Sequence, residues 1–318
     1  MRVFIAGASG VLGRRLVRQF VERGHSVVGL VRSPKSEITV QDAGGEPRQA
    51  DLFDADSLAR AAEGCDTVIH AATAIPVKAK TTSTDWAMND HIRRKGTRSL
   101  TEAAAKIGAR TYLQQSVVWV ARPRNESAFT ENSPTVPDPI TQSAIDAEKI
   151  ARETELTEGI TVTILRGGYF YDSDSAHTRT LGEALRQRKM PIIGSGDALW
   201  AMIHTDDAAS AYVMAAEKPA SGIWHIVDNE LVSARAFLNE FAADLGAPSP
   251  RRFPVWLAKQ FADEQAVTYF TKSTRTSNAH FRSYFGWAPK YPTYREGLKQ
   301  IIAEWKMEHA KALGTPIS

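Results

Sequence analysis

Cysteine is nearly absent: the single Cys65 in 318 residues excludes an internal disulfide and any cysteine cluster for zinc or iron–sulfur, and fits a reducing compartment. It precedes an apolar strand with no obvious base nearby, so it reads as a packing residue rather than a nucleophile. Long apolar runs are missing as well. None approaches membrane-spanning length, and the chain enters its first strand at once, leaving no room for a signal peptide, so a cytoplasmic protein with no membrane partner is expected. No charge sign dominates: 39 Lys and Arg against 36 Asp and Glu leave a net +3, dispersed along the chain, so nucleic acid is not an expected partner. The densest basic cluster, Arg93-Arg94-Lys95, lies in a helical pattern beside Asp90 and Glu102 and reads as a solvated face. Internal repeats and low-complexity tracts are absent, and no metal site is expected.

The chain does carry a clear alternation. Residues 2–6 are an apolar run, followed by the segment GASGVLG and then by Leu12, Leu16, Val17, Phe20 and Val21 at helical spacing until Gly24. Strands at 26–31, 67–70, 110–116 and 160–166 alternate with helices at 54–63, 85–108 and 142–158, which implies a parallel sheet covered on both faces. The rhythm then breaks. Residues 169–178 read as loop, followed by helices at 204–216 and 233–245, a strand at 222–227 and a last helix from Tyr294. A smaller lobe with a substrate cleft against the sheet domain is expected.

In GASGVLG, Gly7, Gly10 and Gly13 stand where a chain turns tightly, lets its backbone approach a pyrophosphate and packs a helix on a strand. The turn's Ser9, Val11 and Leu12 share that site, at the N-terminus of the following helix. The fold class expected is α/β, a Rossmann-type doubly wound parallel sheet over residues 1–166, with 167–318 forming mainly a C-terminal substrate lobe whose segments partly return to the sheet. An NAD-preferring site carries an acid after the second strand, whereas this chain reads Val31-Arg32-Ser33-Pro34-Lys35. Arg32, helped by Ser33 and Lys35, suits the extra phosphate of NADP, so NADP(H) is preferred and NAD(H) remains possible. Asp51 and Leu52 are placed to meet the adenine, and Ala71, Ala72 and Thr73 offer small residues beside phosphate and ribose.

Taken together, GASGVLG, the Asp51-Leu52 pair, HAAT from His70, the Gly96-Thr97 helix, SVV from Ser116, ILRGGYFY, IHTDDAA and the closing Gly286-Trp287-Ala288-Pro289 resemble the extended short-chain dehydrogenase/reductase family, also called the NAD-dependent epimerase/dehydratase family, over nearly the whole chain. The resemblance implies a serine after the fifth strand, matched by Ser116, and a tyrosine four residues before a lysine on the next helix. Lys149 matches that lysine, but Ile145 stands in the tyrosine position, which resembles the family's atypical branch. Arg93 occupies the position aligned to the family's asparagine, with Asn89 too far back. Two readings are open. In one, Lys149, buried beside the cofactor with Gly168, is the acid/base group of an oxidoreductase or epimerase acting on a small hydroxy or carbonyl compound, assisted by Tyr169 or Tyr171. In the other, the fold is a catalytically silent NADP(H)-binding redox sensor or regulatory partner. His204 and His70 read as structural, with Thr205 or Asp206 capping the helix at 204–216. The resemblance also implies a homodimer through the helix from Asp85 and the helix bearing Lys149. Substrate identity rests on the irregular stretches 75–85, 120–140 and 169–200, which carry no code that composition can decide.

Overall fold

The structure is a computed structural model that describes residues 1–77, 80–262 and 264–312, with 264–266 by backbone only; residues 78 and 79 of the stretch 75–85 lie outside the described residues. The first half of the chain builds β1 (Arg2–Ala6), α1 (Val11–Glu22), β2 (Ser26–Val31), α2 (Pro34–Asp42), β3 (Glu46–Gln49), α3 (Ala55–Ala61), β4 (Thr67–His70), α4 (Ser83–His91), α5 (Thr97–Lys106) and β5 (Thr111–Val117). Then follow α6 (Gln142–Glu158), β6 (Thr161–Gly167), β7 (Tyr169–Tyr171), α7 (Ala176–Arg186), β8 (Ile192–Ile193), β9 (Leu199–Trp200), β10 (Met202–His204), α8 (Thr205–Glu217) and β11 (Gly222–Ile226).

Seven strands form one parallel sheet in the order β11-β6-β5-β4-β1-β2-β3. The apolar runs of β1, β4, β5 and β6 occupy its interior because strands buried on both faces need no polar alternation. The polar β3, with Pro47, sits at an edge, where a missing ladder N–H is tolerated. One face buries Val3, Ile5, Leu16 and Phe20 with Ala208, Tyr212 and Trp224, so α1 and α8 cover it. The other buries Phe4, Val68, Leu58, Leu100 and Tyr112, covered by α3 and α5. Although β11 and α8 come late in the chain, both belong to this layered unit. A separate cluster of Trp200, Phe237, Phe241, Tyr294, Leu298 and Ile301 holds the second lobe together.

Several expectations are corrected. The helix at 85–108 begins at Ser83 and is not uniform: a π-helical turn over Ile92–Gly96 separates α4 from α5. Residues 169–178 are not loop. They hold β7, which pairs with β10, and the start of α7, whose cap is Ser175. A three-residue strand is too short to show a period, which is why the sequence pattern missed it. The helix at 204–216 starts at Thr205, and its cap is His204 itself, whose Nδ1 accepts the Asp206 N–H at 3.3 Å. Thr205 instead donates to Asp172, and Asp207 accepts the N–H groups of Lys290 and Tyr291.

Candidate functional site

Strand order reverses between β4 and β1, so the loops after these neighbours diverge and open a crevice at the carboxyl edge of the sheet. A cleft of about 1700 Å³ occupies that place. It is lined by Gly7, Ser9, Gly10, Val11 and Leu12 after β1, Arg32 after β2, Asp51 and Leu52 after β3, Ala71, Ala72 and Thr73 after β4, Ser116 on β5, and Gly168 and Tyr169 after β6. Its far wall comes from the second lobe, including Leu181, Trp200, Phe237 and Phe270.

The glycine turn has the geometry of an anion cradle. Gly7 has φ +89°, and a Cβ there would lie 2.6 Å from the Ala72 nitrogen; a Cβ on Gly13 would lie 1.9 Å from the Gly7 carbonyl oxygen. Only glycine permits β1, α1 and the loop after β4 to meet this closely. The N-terminus of α1 carries no side-chain cap and no acid in its first turn, so its free N–H groups and dipole face the cleft without a competing negative group. This suits a dinucleotide pyrophosphate. At the end of β2, Arg32 is exposed on the cleft rim, whereas Lys35 is exposed in the first turn of α2 away from the lining, and Ser33 is engaged as the α2 cap with Ser36. Of the three residues expected around an extra phosphate, Arg32 alone reaches the cleft.

The expected catalytic groups fare differently. Ser116 is on the cleft wall, but its hydroxyl donates to Glu148 Oε1 at 2.5 Å, and Glu148 in turn receives both arms of Arg166 at 2.8 and 2.7 Å. Glu148, not Lys149, is the inward residue of α6. Lys149, one position further and about 100° around the helix, is exposed beside Asp146 and lines no part of the cleft, which removes it from its expected place by the cofactor. Ile140 and Thr141, just before α6, face the cleft near Ser116, so neither a tyrosine nor a lysine is presented there. Tyr169 is in the wall, packed against Trp119 at 4.4 Å and Trp200 at 5.6 Å, and its hydroxyl donates to the Tyr269 carbonyl at 2.8 Å. Burial pushes its phenol well above the ordinary value, so it holds its proton. The Tyr171 hydroxyl donates to Asp228 Oδ2 at 2.8 Å.

His70 and His204 are structural. Burial pushes each down to about 4, and both rings are spent on neighbours: His70 on the Ala72 N–H and the Ile92 carbonyl, His204 on its cap and Gln300. Cys65 is buried and pushed up to about 11, in keeping with a packing residue. Asn89 is fully buried and its Oδ1 accepts the Ala74 N–H at 3.0 Å, holding the loop after β4.

Sequence reasoning missed Arg93. The basic cluster is not one solvated face: Arg94 is exposed and pairs with Asp146 at 2.7 Å, whereas Arg93 is 8% exposed and lines the cleft. The π turn changes the angular spacing at this point of the helix, and an α-helical period cannot foresee it.

Comparison with known proteins identifies the class. The NAD dependent epimerase/dehydratase family model matches residues 3–227, and the chain belongs to that family. It is 32% identical over 309 residues to a 3-diazoavenalumate denitrifying reductase of a Streptomyces species, covering 94% of this chain and 99% of the relative. It is also 28% identical over 246 residues to a 4-hydroxy-2-methyl-3-oxo-4-farnesyl-3,4-dihydroquinoline-1-oxide ketoreductase of Stigmatella aurantiaca, covering 75% and 71% of the two chains. Among solved structures, a human epimerase family protein with NADPH has a TM-score of 0.81 at 20% identity over 95% of this chain and 99% of that one. A dTDP-glucose 4,6-dehydratase of Streptomyces venezuelae solved with NAD has a TM-score of 0.79 at 22% identity over 98% of each chain. These two show the shared fold. Among the described residues no helix is long and apolar enough to cross a membrane, and no group of three or more His, Cys, Asp or Glu is placed to hold a metal.

Proposed function

We propose that the protein is an NADP(H)-dependent reductase whose hydride acceptor needs no protonation by the enzyme, with an arenediazonium or related diazo compound as the acceptor class. The observation that carries the reading is the state of the expected proton donors. The tyrosine is missing, Lys149 is in solvent, the Ser116 hydroxyl donates its hydrogen bond to Glu148, and the Tyr169 hydroxyl donates its own to a backbone carbonyl. Bound in the cleft, NADPH supplies a hydride. A carbonyl acceptor would become an alkoxide and need a proton, whereas these hydroxyls are directed to internal acceptors. A diazonium needs none: the new C–H bond forms as the C–N bond breaks, dinitrogen leaves with that bond's electron pair, and the products are the arene, N2 and NADP⁺. The denitrifying reductase at 32% identity supports this chemistry, and the reductases, epimerases and dehydratases among the relatives favour catalysis over a silent sensor.

The extended NADPH preference rests on Arg32 and the lack of an acid beside it. The homodimer is proposed from the family resemblance, and sedimentation equilibrium reads it directly.

The test uses diazotised 3-amino-4-hydroxybenzoate with NADPH deuterated at C4. Enzyme-dependent evolution of N2, with deuterium at the arene carbon that bore nitrogen, is the expected result. Turnover of ketones with no reaction of the diazo compound above the protein-free rate would overturn it. In parallel calorimetry, Arg32→Ala should weaken NADPH by about tenfold or more and leave NADH unchanged.

A further inference from the structure

Beyond its cofactor-facing half, the cleft holds a concentration of hydrogen-bond donors that the protein answers only in part. Arg93 is 8% exposed, and its Nη1 donates to the Ile140 carbonyl at 3.1 Å and Ser143 Oγ at 3.3 Å. No carboxylate pairs with it among the described residues. Neither acid that approaches it electrostatically forms an ion pair with it: Asp90 lies 3.8 Å from Arg94, its Oδ1 buried without a hydrogen-bond partner, and Glu148 is held by Arg166 and Ser116. Asp138, close to Tyr269, accepts the N–H groups of Ile140 and Thr141. A buried guanidinium whose hydrogen bonds go to neutral acceptors is costly, and natural proteins pair such charges or hold them for a ligand.

Two further donors share the place. Trp119 Nε1 and the Tyr269 hydroxyl are both buried without a partner; their rings stand edge to face at 5.6 Å, and both line the cleft with Arg93. Tyr269 also lies beneath the Arg122 guanidinium at 5.0 Å. Around these donors the wall is apolar and aromatic, formed by Tyr169, Trp200 and Phe270. A pocket with a cation and two unpartnered donors set in aromatic walls suits an anion attached to a flat apolar body.

We propose that Arg93, with Trp119 Nε1 and the Tyr269 hydroxyl, binds the carboxylate of the substrate, which makes the substrate class an aromatic or conjugated carboxylic acid. This assignment rests on the same cleft as the reductase reading and deepens it, but it is an equilibrium binding property and is read without turnover.

The experiment titrates the whole protein, with and without NADPH, with benzoate, cinnamate and sorbate and with the corresponding amides, following heat and the fluorescence of the cleft tryptophans. At least one acid should bind at least tenfold more tightly than its amide. Arg93→Gln should abolish that preference while leaving the melting temperature and NADPH affinity in place, and Arg93→Lys should retain part of it. Equal binding of acids and amides, binding of none of the six, or an acid preference that survives Arg93→Gln would overturn the assignment. Should Arg93→Gln fail to fold, Arg93→Lys and the acid-to-amide ratio of the unaltered protein decide. An acid preference without reduction of the diazo compound leaves Arg93 assigned and removes only the reductase reading.

Discussion

Glu148 on α6 joins two buried groups from two other elements, Ser116 on β5 and Arg166 on β6. Arg166 is 1% exposed, so removing the carboxylate would leave an uncompensated charge in the sheet and deprive Ser116 of its acceptor. Glu148→Ala should therefore cost about 3–5 kcal/mol in denaturant melts. Lys149→Ala, next in sequence but exposed, should change stability within about 0.5 kcal/mol. Sequence alignment marks Lys149 and passes over Glu148 because a motif counts residues, whereas burial follows the angle at which each leaves the helix. Arg93 shows the same limit, since its neighbours in sequence are solvated and its own contacts lie 47 to 50 positions away.

The element that was most legible is the strand-turn-helix of β1 and α1. Its signal is local: apolar run, three glycines, then helical spacing, each dictated by backbone sterics within about 20 residues. The tolerance there is small. Gly13→Ala places a methyl against the Gly7 carbonyl, 1.9 Å away before relaxation, and must separate α1 from the turn. Destabilisation of about 1–3 kcal/mol is expected. NADPH affinity should fall more than the melting temperature alone explains if the displaced N–H groups hold the pyrophosphate as proposed; calorimetry beside thermal melts separates the two. A variant that binds NADPH normally would show that the turn does not hold the cofactor. By contrast, β7 to β10 are two or three residues each, held by partners elsewhere in the chain, and no periodicity marks them.

At the scale of the molecule, burial of ionisable groups sets how stability responds to pH. Asp228, buried under Tyr171 and the His204 N–H, has its carboxyl pushed up to about 8. An unfolded aspartate ionises near 4. Between these values the native chain keeps a proton that the unfolded chain has lost, so this group's contribution declines as pH rises. Asp172 and Asp207, each raised by burial to about 6, act the same way up to that pH. His70 and His204 at about 4 and His225 at about 3 act oppositely: their unfolded counterparts take up a proton near pH 6.5 that the native sites refuse, so stability rises with pH up to there. From about pH 6.5 to 8, Asp228 alone of these six still titrates. The melting temperature should peak near pH 6.5 and fall by a few degrees toward pH 8.5, and Asp228→Asn should flatten that fall. An unchanged slope in the variant would assign the decline to another group.

The sequence by itself determined the parallel sheet, the glycine cradle and the family, since apolar periodicity and turn chemistry act between residues a few positions apart. Tertiary structure alone decided which side chains meet in the cleft. Ser116 finds Glu148, Tyr169 finds the Tyr269 carbonyl, and Arg93 reaches Ile140. These partners are 32 to 100 positions apart, and their meeting depends on helix rotation, a π turn and the docking of one lobe on the other, none of which a local pattern encodes.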